Sequence, residues 1–173
     1  MIVGVRRALD ALYDAAAYLA ALLLIGTLAM ILLGIFGRIF DFQVRGSDAY
    51  AGYLMAGSGF LALAHTLKRG EHIRVNVLSR LLKGHAHKLL ELIAVGIGVL
   101  LAFVLAWFSV HLAWASYTYH DISTGNDATP LWLPQLGMAL GTVIFAIAVI
   151  DEFQLELRGR RVEPKHDEPL HIE

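Results

Sequence analysis

The chain has 173 residues, of which 57% are Ala, Val, Ile, Leu, Met, Phe, Trp, Tyr or Cys, whereas a soluble domain reaches only about 45–50% apolar with glycine included. Its formal net charge of −1 argues against a nucleic-acid partner, and the absence of cysteine excludes a disulfide framework, a Cys-ligated metal site and a thiol nucleophile. All 14 Lys and Arg and all 15 Asp and Glu fall outside four uncharged stretches, residues 15–36, 49–67, 92–120 and 131–150, which predicts an integral membrane protein.

A helix needs about 20 apolar residues to cross roughly 30 Å of hydrocarbon, where only intrahelical bonds can satisfy the backbone. The first expected span, 15–36, follows Arg6 and Arg7 as a secretory signal would. It exceeds the usual apolar core of such signals, about 7–15 residues, so a retained helix is expected. Arg38 closes this span and Asp48 opens the next. Ser47 or Asp48 is expected to cap the second helix, with a negative charge suited to its dipole; alternatively, Arg38 pairs with Asp48 across the hairpin or with a partner subunit.

The second span, 49–67, is dense in small residues: Gly52, Ala56, Gly57, Ser58, Gly59 and Ala62. Gly70 is expected as its C-cap. In the following segment Val75, Leu78 and Leu82 share one helical face, interleaved with Arg74, Arg80 and Lys83, which predicts a short interfacial helix on the inner leaflet. The third span, placed at 90–117, overlaps an uncharged run of 29 residues, 92–120. As helix that run would be about 43 Å long, so its outer end, from Trp114 to His120, is expected to tilt or protrude. Ala94, Gly98, Ala102 and Ala106 recur along it every four residues. The fourth span, 131–150, is entered through Pro130 and Pro134 and carries the pair Gly137 and Gly141. Such stripes let helix backbones approach, either within the chain or against a larger membrane partner.

The expected fold is therefore all-α: a membrane domain over 1–150, with four transmembrane helices and a short interfacial cytoplasmic helix between the second and third, then a charged tail, 151–173. Twelve of the 14 Lys and Arg lie on one side of this topology. The positive-inside bias places both termini and the 68–88 connection in the cytoplasm. Tyr50, Tyr53, Trp114, Tyr117, Tyr119 and Trp132 then form an aromatic belt at the outer boundary.

The spans offer little chemistry. Their central polar residues are Thr27, Ser58 and Thr142, hydroxyls that in a membrane helix ordinarily bond their own backbone. With no carboxylate at mid-depth and no broken helix, the chain alone is expected to move no solute. A haem needs two axial ligands on facing helices, yet His65 and His111, the histidines well inside spans, would lie about 30 Å apart, and His65 and His72 about 10 Å. No cofactor, metal site or catalytic residue is expected.

Taken in order, Gly37-Arg38-Ile39-Phe40, the acidic Asp48, Ala56-Gly57-Ser58-Gly59, Lys68-Arg69-Gly70-Glu71-His72-Ile73-Arg74-Val75 and Pro130-Leu131-Trp132 make the chain resemble a transporter component. The family is the small membrane subunit, Q-type or DctQ-like, of tripartite ATP-independent periplasmic (TRAP) transporters, over about residues 15–150. It often has two acidic residues where this chain has Ser47-Asp48, and a tryptophan in the second helix that is absent here. The resemblance implies a scaffold role in the bacterial inner membrane, in sodium-coupled uptake of an organic acid. Its implied partners are a large M-type permease subunit, a periplasmic substrate-binding protein and membrane lipids. Interface candidates are Arg38, Asp48, Gly70, Glu71, His72, Arg74 and Trp132 from these motifs, with Gly98, Gly137 and Gly141 from the small-residue stripes. Rival readings are a haem- or quinone-associated anchor of an oxidoreductase and the small subunit of a tripartite tricarboxylate transporter.

Overall fold

The computed structural model describes residues 2–42, 44–69, 85–125 and 127–157. Within them the protein is all-α, with helices α1 (Ile2–Ile39), α2 (Ser47–Lys68), α3 (His85–Thr118) and α4 (Trp132–Leu157). Each expected span, apart from Leu131 at the head of the fourth, lies in one of these helices, and three of the helices extend well beyond it. α1 starts upstream of residue 15, α3 begins at His85, and α4 continues through the start of the charged tail to Leu157. Helical hydrogen bonding is indifferent to the edge of an uncharged run, and Asp, Glu, Lys and Arg can continue a helix into water. The interfacial helix expected after Arg69 lies outside the described residues, as do Gly70, Glu71, His72 and Arg74.

α1 and α3 end alike. Phe42 N–H donates to the Gly37 carbonyl with Asp41 left-handed (φ 53°), and Asp121 N–H donates to the Ser116 carbonyl with His120 left-handed (φ 55°). This six-to-one closure satisfies helix-end carbonyls and turns the chain sharply. The start of α2 corrects the capping expectation: its N-cap is Gly46, left-handed at φ 78°, and no side chain caps the helix. Ser47 is instead buried against α1, its hydroxyl 3.3 Å from where a Cβ on Gly34 would stand. Asp48 does lie in the first turn of α2 and Arg38 in the last turn of α1, where each charge suits its helix dipole.

In space the order is α1, α2, α4, α3. α2 packs between α1 and α4, α3 packs on α4, and α1 meets α4 only marginally. α1 and α2 are antiparallel, as are α3 and α4, whereas α2 and α4 run in parallel. The 40–46 and 119–131 connections consequently share one end of the molecule, the loop end, while Asp10, Lys68 and the last turn of α4 mark the other, the terminal end.

Burial is shared among three small clusters. Ala102 and Ala106 meet Ala146 and Val149 between α3 and α4; Tyr13, Ala64 and Ala148 join α1, α2 and α4; Ala16 and Ala20 meet Leu61. Large apolar side chains instead point outward, including Leu22, Ile25 and Phe36 on α1 and Phe103, Trp107 and Phe108 on α3. That inversion fits a solvent as apolar as leucine, in which small residues drive helix contact.

Three helical segments, Arg6–Ile39, Leu92–Thr118 and Trp132–Leu157, are long and apolar enough to cross a membrane. α2 has the length, 22 residues, but its Gly, Ser, Tyr and His content leaves it less apolar. Like α4 it has neighbours on two sides, here α1 and α4.

Candidate functional site

Among the described residues, two polar clusters and one uncovered helix face are the candidates for function. At the loop end the 119–131 connection folds back on itself: Ser123 N–H donates to the Thr129 carbonyl and Leu131 N–H to the Asp121 carbonyl. Inside this turn Ser123 Oγ donates to Asp127 Oδ1 at 2.8 Å and accepts from Gly125 N–H at 3.2 Å. α2 reaches into it with two tyrosines. Tyr53 Oη lies 3.0 Å from Ser123 Oγ and 3.2 Å from Asp127 Oδ2, while Thr129 Oγ1 donates to Tyr50 Oη at 3.1 Å.

Partial burial of the Asp127 carboxyl opposes its ionisation. Hydrogen bonds from Ser123, Thr129, its own backbone N–H and Tyr53 outweigh that, holding it below the ordinary aspartate value of 3.8. Gly46 belongs to the same cluster: its left-handed backbone and a 2.6 Å separation between a notional Cβ and Asp127 Cβ leave room for glycine alone. The cluster therefore clamps the α1–α2 turn and the head of α2 onto the α3–α4 turn.

Arg38 and Asp48 also sit at the loop end. Their side chains approach to 3.9 Å and are 81% and 90% exposed, a loose ion pair of small energetic weight. Trp132 begins α4 half-buried and packs edge-on to Tyr117 of α3, with centroids 5.7 Å apart and planes at 87°.

At the terminal end α1 supplies Asp10, Tyr13 and Asp14, and α2 supplies His65 and Lys68. Lys68 Nζ bonds Asp10 Oδ1 and lies 5.4 Å from the centroid of the Tyr13 ring. His65 Nδ1 is 3.5 Å from Asp14 Oδ1. Tyr13 is 1% exposed, and its hydroxyl is buried with no hydrogen bond to the described residues. His65 thus faces α1, whereas His111 is exposed on α3, which does not touch α2. Among the described residues no group of three or more His, Cys, Asp or Glu could hold a metal ion.

Between these ends the hydroxyls of Thr27 and Thr142 turn inward on their own helices: Thr27 Oγ1 donates to the Leu23 carbonyl at 3.0 Å and Thr142 Oγ1 to that of Met138 at 2.9 Å. The small-residue stripes divide. Gly137 and Gly141 face α2, where a Cβ would stand 3.2 Å from Gly57 Cα and 2.5 Å from the Phe60 carbonyl carbon, respectively. Gly98 faces α4 across ordinary contact distance, 3.8 Å from Val149 Cγ1. On α2, Gly57 is buried, but Gly52, Met55, Ala56 and Gly59 line an exposed face, with open space beside Gly52 and Gly59.

The sequence marked Tyr50 and Tyr53 as belt aromatics, separately from the 121–129 segment. It gave no sign of their union, because Tyr53 and Asp127 are 74 positions apart. A Ser-x-Gly-x-Asp pattern, Ser123 to Asp127, was the available local signal. The terminal cluster had none beyond scattered charges.

The family model described as the DctQ component of tripartite ATP-independent periplasmic transporters matches residues 27–159. No curated protein and no solved structure matches the chain.

Proposed function

The chain belongs to the DctQ family, the small permease component of TRAP transporters, and from that premise we propose that it is the scaffold subunit of a sodium-coupled organic-acid importer. The family and the three apolar helices make it a multi-pass membrane protein. In the proposed arrangement α2 is the fourth crossing, both termini are cytoplasmic, and the loop end faces the periplasm of a bacterial inner membrane. The distribution of Lys and Arg supports this orientation, and the antiparallel α1–α2 hairpin supports the crossing.

The observation that carries the scaffold reading is the open face of α2. A helix centre lined by Gly52, Ala56 and Gly59 has little to offer lipid but admits a partner backbone closely. The large M-type subunit would cover that face. The periplasmic binding protein would dock at the loop end, where Arg38, Asp48 and Trp132 lie. Solute and sodium would be bound by the large subunit, since of the central hydroxyls those of Thr27 and Thr142 bond their own helices and that of Ser58 belongs to a buried residue. Family membership favours this reading over a haem-bearing anchor or a tricarboxylate-carrier subunit.

Reconstitution tests it. Proteoliposomes holding this chain alone should take up no organic acid under a sodium gradient, and uptake should require the large subunit and the binding protein. Sodium-driven uptake by the isolated chain would overturn the scaffold assignment.

A further inference from the structure

At the loop end, α1 and α2 flank an open cavity of about 480 Å³ lined by Gly34, Gly37, Arg38, Asp41, Ser47 and Asp48 among others. We propose that this cavity binds the headgroup of a zwitterionic amine phospholipid, Arg38 taking the phosphate and Asp41 with Asp48 taking the ammonium. The proposal is independent of the transporter reading, and it needs no decision about which leaflet the loop end occupies.

Depth is the first support. Arg38 and Asp41 are the first charges after a run in α1 that is uncharged from residue 15, and Asp48 is the last before the uncharged run of α2. The cavity therefore opens where hydrocarbon gives way to headgroups. Exposed Phe36 and Ile39 on α1 and Phe40 just after it are next in sequence to its lining residues and can flank acyl chains. The two phenylalanine rings are 6.3 Å apart.

Charge is the second support. One guanidinium and two carboxylates share the cavity wall, and Arg38 and Asp48 stand 3.9 Å apart, beyond the roughly 2.7–3.2 Å of a hydrogen bond. Neither is tied up by the other. Guanidinium suits a phosphate through paired N–H donors, and a primary ammonium offers three donors to carboxylates. On the wall itself carboxylates outnumber the guanidinium, which favours a headgroup that carries an ammonium over a purely anionic one. A quaternary ammonium fits less well because it has no N–H to give. Volume agrees, since a phosphoethanolamine group is far smaller than the cavity and leaves space for water.

The same amine phosphate could arrive as a free solute, so the test separates the two sources. The full chain, purified in detergent, is incubated with equimolar phosphatidylethanolamine and phosphatidylglycerol of matched acyl chains, and retained lipid is read by native mass spectrometry. Wild-type protein should retain phosphatidylethanolamine preferentially. Arg38→Gln should cut that retention by about fivefold to tenfold, the loss expected for one charge-assisted contact. Arg38→Lys should keep part of it, and Asp41→Asn combined with Asp48→Asn should move the preference towards phosphatidylglycerol. Free O-phosphoethanolamine should not displace the lipid. Arg38 and Asp48 are largely exposed, so these variants should keep wild-type helical content by circular dichroism. Equal retention of the two lipids by wild type, unchanged retention in a folded Arg38→Gln variant, or displacement by the free amine phosphate would each overturn the proposal.

Discussion

α4 is packed on two sides, and its two seams are built differently. Towards α2 it presents Gly137 and Gly141, which bring backbone against backbone; towards α3 it presents Ala146 and Val149, which meet Ala102, Ala106 and Gly98 at ordinary side-chain distances. The first seam lies between two hairpins remote in sequence and needs intimate contact to hold them. The second joins consecutive helices already tethered by the 119–131 turn, so looser packing suffices. Without a hydrophobic drive between helices in lipid, the distance of closest approach sets how much dispersion energy a seam collects.

The largest expected effect tests the tight seam. A Cβ on Gly141 would lie 2.5 Å from the Phe60 carbonyl carbon, 2.6 Å from its oxygen and 2.8 Å from Leu61 N. These are backbone atoms, which cannot swing aside. Gly141→Ala should destabilise the protein by about 3 kcal/mol, read as a lowered midpoint of unfolding in detergent, whereas Gly98→Ala should change it by less than about 0.5 kcal/mol. Equal effects would erase the distinction between the seams.

Gly137→Ala falls between them. Its Cβ would meet Gly57 Cα at 3.2 Å, which asks for a shift of a few tenths of an ångström between α2 and α4, at an expected cost of about 1 kcal/mol. If it proves neutral, the tight contact is local to Gly141.

The loop-end clamp supports the α2–α4 seam from above. Tyr53→Phe should cost about 1 kcal/mol by removing hydrogen bonds to Ser123 and Asp127. The carboxyl of Asp127 has a folded pKa below its unfolded value of 3.8. Its contribution is therefore complete above that pH and is lost as pH falls through the lower folded value. Melting curves of wild type and Asp127→Asn should differ at neutral pH and converge as the medium is acidified below 3.8; a gap that persists in acid would show that the carboxylate is not what the clamp depends on.

The smallest effect on stability is expected on the open face of α2. A Cβ at Gly52 or at Gly59 would meet nothing within 4 Å, so Gly52→Leu and Gly59→Leu should leave the isolated protein within about 0.5 kcal/mol of wild type. Co-purification with the large subunit should nevertheless fail, since the added side chains stand where a partner backbone would lie. Intact assembly in both variants would place the partner elsewhere.

These contrasts were unequally legible in the sequence. The positions of the four helices could be read from charge-free runs, because a membrane-spanning run tolerates few charges. The helix ends could not, because a helix may continue into water at little cost. Capping of α2 was misread: Ser47 looks like an N-cap, but the tight turn needs a left-handed residue before it and the serine is taken up by contact with α1. The stripe residues were recognised as packing surface, yet nothing in their spacing distinguishes Gly141, pressed against a backbone, from Gly59, facing open space.

The sequence by itself determined that this is an all-α membrane chain with a strong charge asymmetry and no carboxylate inside its four uncharged runs, since these properties follow from composition along one dimension. Its motifs also pointed to the family. Only the tertiary structure decided that α2, the least apolar helix, sits between α1 and α4, that Tyr53 meets Asp127, and that Arg38 and Asp48 flank a cavity. Neighbour choice among helices depends on how small residues on separate segments match in three dimensions, and lipid presses all apolar faces alike.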